Sequence, residues 1–201
     1  ALDLGVGICN MTPIVVVGFE SEKVQECIGD RAKVVLQEAQ LGTGHALHQT
    51  GDLLRERADM ILVWAADMPL LTKDILESVI NVQSQNEGPV SIVTAISNDD
   101  RGFGRVVRSE FGEVQAIVEK SDATAEQLSI NELNVGVYCF QSSWLWDELS
   151  ALKPSSNGEY YLTDLIKSAS LQNQNIGVVT TTAVDEIIGI NTRIHLAEAE
   201  T

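Results

Sequence analysis

Runs of aliphatic, mostly β-branched residues alternate along this chain with segments of helical spacing. Asp59–Ala65 (DMILVWA) is the plainest such run, apolar at successive positions rather than at every second one. A strand patterned this way has both faces covered, the condition of a parallel sheet flanked by helices. Pro13–Phe19, Lys33–Gln37, Val90–Ile96, Leu133–Phe140 and Ile176–Thr182 read as further strands. Arg105–Arg108 and Glu113–Val118 read as a hairpin around the polar turn Ser109–Gly112. Helical spacing covers Glu20–Ile28, the stretch from the Gly42 loop to about Arg57, Trp144–Leu152, Tyr160–Leu171 and the tail after Asn191. Thr72 stands as the N-cap of a helix running to about Gln85. The fold class is α/β, a mixed, mostly parallel sheet flanked by helices. It reads as one domain over residues 1–201, with a β-rich part around 98–165.

The charge balance narrows the partners. With 29 acidic and 13 basic residues the net charge is −16. Such a field repels nucleic acid and anionic membrane surfaces, so neither is expected as a partner. It repels a nucleoside triphosphate too, and binding one requires a divalent cation and a local group of donors. No apolar run approaches the ~20 residues of a membrane span, and the chain does not open on a basic-then-apolar signal segment. The expectation is a soluble cytoplasmic protein. Cys9, Cys27 and Cys139 are scattered without metal-ligand spacing, and all three read as small buried hydrophobes.

Four segments carry candidate chemistry. In Gln37–Ala46 (QEAQLGTGHA) a strand gives way to a loop with two glycines and then a helix. Open backbone N–H groups at such a point suit a nucleobase or phosphate, and the same residues serve equally as a glycine turn into a capped helix. His45, in the first turn of that helix, reads as structural. In Val63–Leu70 (VWAADMPL), Asp67 leaves the C-terminal end of an apolar strand, where open α/β sheets bind ligands. A carboxylate there can hold Mg²⁺ beside phosphate oxygens, or merely shape the turn before Pro69.

The third group is Arg101–Val107 (RGFGRVV), Ile117–Ala123 (IVEKSDA) and Asn131–Tyr138 (NELNVGVY), each with a polar residue or glycine where strand meets loop. Convergent polar groups there suit sugar hydroxyls, and ordinary hairpin chemistry accounts for them as well. The fourth is Gly158–Ile166 (GEYYLTDLI), opening a helix, with Tyr160 placed as a hydrophobic staple. Near the end, Asn191 in GINTR is placed to cap the last helix, and its amide oxygen suits a hard cation.

Taken together and in order, LQEAQLGTGHA, GFGRVVR, IVEKSDAT, NELNVGVY and GEYYLTDLI resemble the N-acetylglucosamine-1-phosphate uridyltransferase domain of the bacterial bifunctional enzyme. The resemblance implies a Rossmann-like sheet of the nucleotide-diphospho-sugar transferase fold. It implies transfer of UMP from UTP to N-acetylglucosamine 1-phosphate, with Mg²⁺ as cofactor and UDP-N-acetylglucosamine and pyrophosphate as products. It places Gln37, Gly42 and Thr43 at the uracil, and Gly104, Glu119, Asn134, Tyr161 and Thr163 around the amino sugar. Asp67 and Asn191 would hold the metal. Homo-oligomerisation is neither required nor excluded.

Two departures from the family pattern bear on function. Ala65-Ala66-Asp67 stands where the family has Tyr-Gly-Asp, and the Ala-Asp-Met-Pro-Leu form is also similar to nucleotidyltransferases acting on molybdopterin. The family's glycine-rich loop with its Arg, and the Pro-Lys step after it, have no counterpart here. Ala1–Leu4 reads as a helix end capped by Gly5, so the chain joins the architecture without its first strand–loop–helix unit, about 40 residues. The C-terminal acetyltransferase domain of the family has no counterpart either. Alternatives are another sugar-phosphate nucleotidyltransferase or a non-catalytic sugar-nucleotide-binding module. Reduced turnover relative to a chain carrying the loop is expected, because each lost preorganised donor commonly costs about 10²–10³-fold.

Overall fold

The computed structural model describes residues 1–8, 11–98 and 102–200; Cys9 and Arg101 lie outside them. The chain runs α1 (Leu2–Ile8), β1 (Ile14–Val17), α2 (Ser21–Ile28), β2 (Lys33–Leu36), α3 (Thr43–His48) and α4 (Gly51–Leu54). It continues as β3 (Met60–Trp64), α5 (Lys73–Gln85), β4 (Val90–Ile96), β5 (Arg105–Arg108), β6 (Val114–Val118) and α6 (Ala125–Leu128). The last elements are β7 (Glu132–Gln141), α7 (Ser142–Ala151), α8 (Asp164–Leu171), β8 (Ile176–Thr181) and α9 (Arg193–Ala199).

β7 organises the main sheet. One of its edges is paired along its length by β4, which pairs in turn with β8. The other edge is shared: β3 occupies Val137–Gln141, and β5, the inner strand of the β5–β6 hairpin, reaches it only at Leu133. β3, β4, β5 and β8 run in one direction and β6 and β7 in the other. Strand direction is thus mostly parallel as expected, but most ladders are antiparallel because β7 lies between like-directed neighbours. β1 and β2 form a separate parallel pair, and among the described residues no strand pairs the second edge of β3.

Alternation along the strands divides the core in two. Ile61 of β3, Val90 and Ile92 of β4, and Tyr138 and Phe140 of β7 pack with α7 and α8 through Leu145, Leu149, Leu165 and Ile166. Val93, Ala95, Val135, Val137 and Cys139 face the opposite side, against Ile75, Leu76 and Val79 of α5. Helices therefore cover both faces, which is why β4 and β7 needed apolar residues at successive positions. Each such fully buried aliphatic side chain contributes about 1.5–3 kcal/mol of transfer free energy.

Some expectations are corrected. Gly5 sits within α1 rather than capping a helix end, packed where a side chain would meet Pro13 and Trp64. The helix expected to Arg57 is two short ones, α3 and α4. Cys27 is exposed, on the outer side of α2, and only Cys139 of the described cysteines is buried. Thr72 precedes α5, but its hydroxyl donates to Glu186 Oε2 at 2.9 Å instead of accepting from the helix. The last helix is capped by Thr192, which accepts from His195 N, not by Asn191.

Candidate active site

The shared edge of β7 creates a fork. β3 leaves it at Val137 and β5 joins at Leu133, so neither strand's ladder covers residues 134–136. A bulge lies at the same place: from Ile92↔Tyr138 to Thr94↔Asn134, β4 advances two residues and β7 four. The extra residues turn at Gly136, and bulges of this kind re-aim neighbouring side chains. Asn134 stands at this register shift. Its Nδ2 donates to the Tyr138 hydroxyl at 2.7 Å and its Oδ1 accepts from Gly136 N at 3.3 Å.

Four of the five sugar-side candidates lie together at this fork as two hydrogen-bonded pairs. Asn134 N donates to the Gly104 carbonyl at 2.9 Å. A side chain at Gly104 would come within 3.5 Å of Glu119 Oε2. Glu119 Oε1 accepts from the Thr163 hydroxyl at 2.9 Å. Burial raises the Glu119 carboxyl above its ordinary value, and repulsion from Asp164, Asp122 and Glu159 adds to this, against the Thr163 hydroxyl. The fifth candidate, Tyr161, holds its hydroxyl at 2.6 Å from Asn157 Nδ2. Glu119, Tyr161 and Thr163 line a common groove of about 580 Å³, extended by Asp164 and Lys167. That is a volume suited to a small ligand.

The nucleotide-side candidates are sewn onto the same region. Gly42 adopts φ 101°, and a Cβ there would stand 2.6 Å from the Tyr160 carbonyl, so the loop closes on Tyr160 only with glycine. Tyr160 N donates to Leu41 O, and Gly44 N to Tyr160 O, both at 2.8 Å. Thr43 Oγ1 accepts from Leu162 N at 3.0 Å. These bonds correct the helix expected from Tyr160. Tyr160 and Leu162 lend backbone groups to the loop, and α8 begins only at Asp164. Gln37, buried at the end of β2, donates through Nε2 to Gly42 O at 3.1 Å.

Asp67 and Asn191, both exposed, meet at Gly189. The point where a Gly189 Cβ would stand is 3.7 Å from Asn191 Nδ2, 3.8 Å from Asp67 Oδ2 and 4.0 Å from Phe103 Cζ. Gly189 belongs to the motif read in the sequence, yet nothing in the pattern marked it as the residue that both ligand candidates approach. Phe103 precedes Gly104, so this cradle adjoins the sugar-side group. A carboxylate with an amide oxygen is a hard, oxygen-donating pair that leaves positions for phosphate and water, the environment Mg²⁺ prefers. Which Asn191 atom is oxygen is set by what it meets. Among the described residues no three His, Cys, Asp or Glu side chains gather as a metal cluster.

The basic residues of the motifs are not gathered at the cradle's service. Arg105 is 2% exposed and donates to the Phe103 carbonyl, so its guanidinium is committed to the interior. Lys120 and Arg193 are exposed. Among the described residues no helix is long and apolar enough to cross a membrane.

Comparison with known proteins agrees with this architecture. The Nucleotidyl transferase family profile matches residues 7–184. Bifunctional protein GlmU of Limosilactobacillus reuteri is 40% identical over 187 residues, covering 92% of this chain and 41% of that protein. GlmU of Heliobacterium modesticaldum is 41% identical over 191 residues, covering 94% and 41%. The chain thus spans about two fifths of the length of these relatives. A Bacillus anthracis crystal structure assigned as a glucose-1-phosphate thymidylyltransferase, in complex with sucrose, superposes with TM-score 0.68 at 19% identity, over 90% of this chain and 72% of the other. That likeness shows the fold, a helix-flanked α/β sheet of the nucleotide-diphospho-sugar transferase kind. With a family profile matched over most of its length and a fork-and-cradle site at the ends of its strands, the chain belongs to the nucleotidyl transferase family.

Proposed function

We propose that this chain transfers UMP from UTP to N-acetylglucosamine 1-phosphate, giving UDP-N-acetylglucosamine and pyrophosphate for cell-envelope precursor synthesis in the cytoplasm. The observation that carries the reading is the Gly189 cradle. It sets the Asp67 carboxylate and the Asn191 amide together, beside Phe103 and the Gly104–Glu119–Asn134–Thr163 group. The named GlmU relatives support the same reading.

In the reaction a phosphate oxygen of the sugar 1-phosphate attacks the α-phosphorus of UTP, the bond to the bridging oxygen breaks, and pyrophosphate leaves. The attacking oxygen is already ionised, so no general base is required, and the protein's part is alignment. Gln37, Gly42 and Thr43 orient the nucleobase end. Glu119 and Asn134 present polar groups to the sugar, Gly104 leaves room for it, and Tyr161 and Thr163 close its side. Asp67 and Asn191 would hold Mg²⁺, which when bound would offset phosphate charge.

Pyrophosphate release tests this, with each of four nucleoside triphosphates against N-acetylglucosamine 1-phosphate and glucose 1-phosphate, with and without Mg²⁺. UTP with the amino sugar should exceed every other pair. Because the triphosphate meets a net charge of −16 and Arg105 is turned inward, turnover is expected to be slow. Calorimetry with UDP-N-acetylglucosamine therefore accompanies the assay. Absence of both binding and turnover, or preference for another pair, rejects the proposal.

A further inference from the structure

A side-chain hydrogen bond spans the register shift in β7. Tyr138 pairs with Ile92 on one side of the shift and Asn134 with Thr94 on the other. Both are buried, at 4% and 6% exposure. The Gly136 N–H can only donate, so the Asn134 atom 3.3 Å from it is oxygen. The atom 2.7 Å from the Tyr138 hydroxyl is then nitrogen, and the hydroxyl accepts from it. Gly136 thus decides which end of the amide is which, and Tyr138 holds the nitrogen end in place by the shorter of the two bonds. The Tyr138 ring stacks on Phe140 with centroids 5.7 Å apart, so the core fixes where the hydroxyl stands. Burial raises that hydroxyl well above its ordinary value, and it stays uncharged through the working range of pH.

We propose that Tyr138 is a positioning residue for recognition of the sugar: its hydroxyl braces the Asn134 amide across the bulge, in the orientation through which the site reads a polar substituent of a hexose 1-phosphate. The inference rests on the reading above that sets Asn134 at the amino sugar. Tyr138 itself packs in the core with α7 and α8, and acts through its neighbour. Phenylalanine in its place keeps the stacked ring and removes the hydroxyl alone. The Asn134 nitrogen then loses that partner in a buried setting, and the amide leaves its place to find another. Gln37, Gly42 and Thr43 belong to a different loop, so the loss falls on the sugar and spares the nucleotide.

Calorimetry with UDP-N-acetylglucosamine and with UDP, each with Mg²⁺, tests this on the wild-type chain, Tyr138→Phe, Asn134→Ala and the double variant. The wild type should bind UDP-N-acetylglucosamine more tightly than UDP. Tyr138→Phe should weaken UDP-N-acetylglucosamine about tenfold and leave UDP within about twofold. In the Asn134→Ala background the same substitution should change neither, because the two residues act as one unit. A Tyr138→Phe that weakens both ligands alike, weakens neither, or costs as much without Asn134 overturns the role of Tyr138 and leaves the sugar-side reading standing. A wild type that binds neither ligand, or both alike, or an Asn134→Ala that keeps full affinity for the sugar nucleotide, overturns that reading and this inference with it. The Asn134 side-chain amide of the wild-type protein gives a reading independent of any variant's folding. Slowly exchanging amide protons with nuclear Overhauser contacts to the Tyr138 ring support the brace, and rapid exchange without such contacts refutes it.

Discussion

The amide of Ile190 donates to the main-chain carbonyl of Asp67 at 2.9 Å, tying the loop after β3 to the segment before α9. That bond sets Gly189 beside the Asp67 carboxylate and the Asn191 amide. A methyl group there would make ordinary contacts with both side chains, at 3.7 and 3.8 Å, and would take space beside each of them. Gly189→Ala should leave the melting temperature unchanged or raise it, since losing glycine stabilises by about 0.4–1 kcal/mol where the backbone permits. The Mg²⁺ concentration for half-maximal pyrophosphate release should nevertheless rise about tenfold. Thermal melts and a Mg²⁺ titration separate the two effects.

Asp67→Asn keeps the shape of the site and removes its one full negative charge. Asp67 is exposed, so stability should move by no more than about 0.5 kcal/mol. Turnover should fall about 10²–10³-fold, the scale of losing one electrostatic stabiliser of the reacting phosphate. Steady-state kinetics at saturating Mg²⁺, beside a melting curve, check both. A mere tenfold loss, recovered by more Mg²⁺, would assign Asp67 to a peripheral role.

Glu119 is held above its ordinary value of 4.5, chiefly by burial. The folded chain therefore keeps a proton that the unfolded chain releases first as the pH climbs. The stabilisation from this group is full below the unfolded value and is lost as pH rises through the folded one. Glu119→Gln, which can still accept from Thr163, removes that dependence. The variant should match the wild type near pH 4 and exceed it in melting temperature at pH 7. Its affinity for UDP-N-acetylglucosamine should drop about 10–100-fold, the worth of a hydrogen bond to a charged group.

Gly42→Ala meets two obstacles, a backbone φ of 101° and the Tyr160 carbonyl 2.6 Å from the new methyl. The loop must move off Tyr160, giving up the paired bonds at Leu41 and Gly44. Stability should fall by more than about 1 kcal/mol. Uridine-nucleotide binding should weaken further than binding of N-acetylglucosamine 1-phosphate, because Gln37 loses the carbonyl that orients it. Denaturant melts and two calorimetric titrations decide the order.

Which segments become strands and helices is written locally in this chain. Val90–Ile96 is predicted and found with the same bounds, because seven consecutive residues compatible with burial on two faces leave little else to form. The glycine loop after β2 and the acidic residue after β3 were legible for the same reason, as breaks in a periodic pattern. Hydrogen-bond partners between distant segments were not. Tyr160–Thr163 has helical spacing, yet stays outside α8, with Leu41–Gly44 holding backbone groups of Tyr160 and Leu162. Arg105 reads as a cation near the site, and packing turns it into the interior. Periodicity records which faces must be buried; it carries no information on which of several suitable donors and acceptors the closed fold brings together.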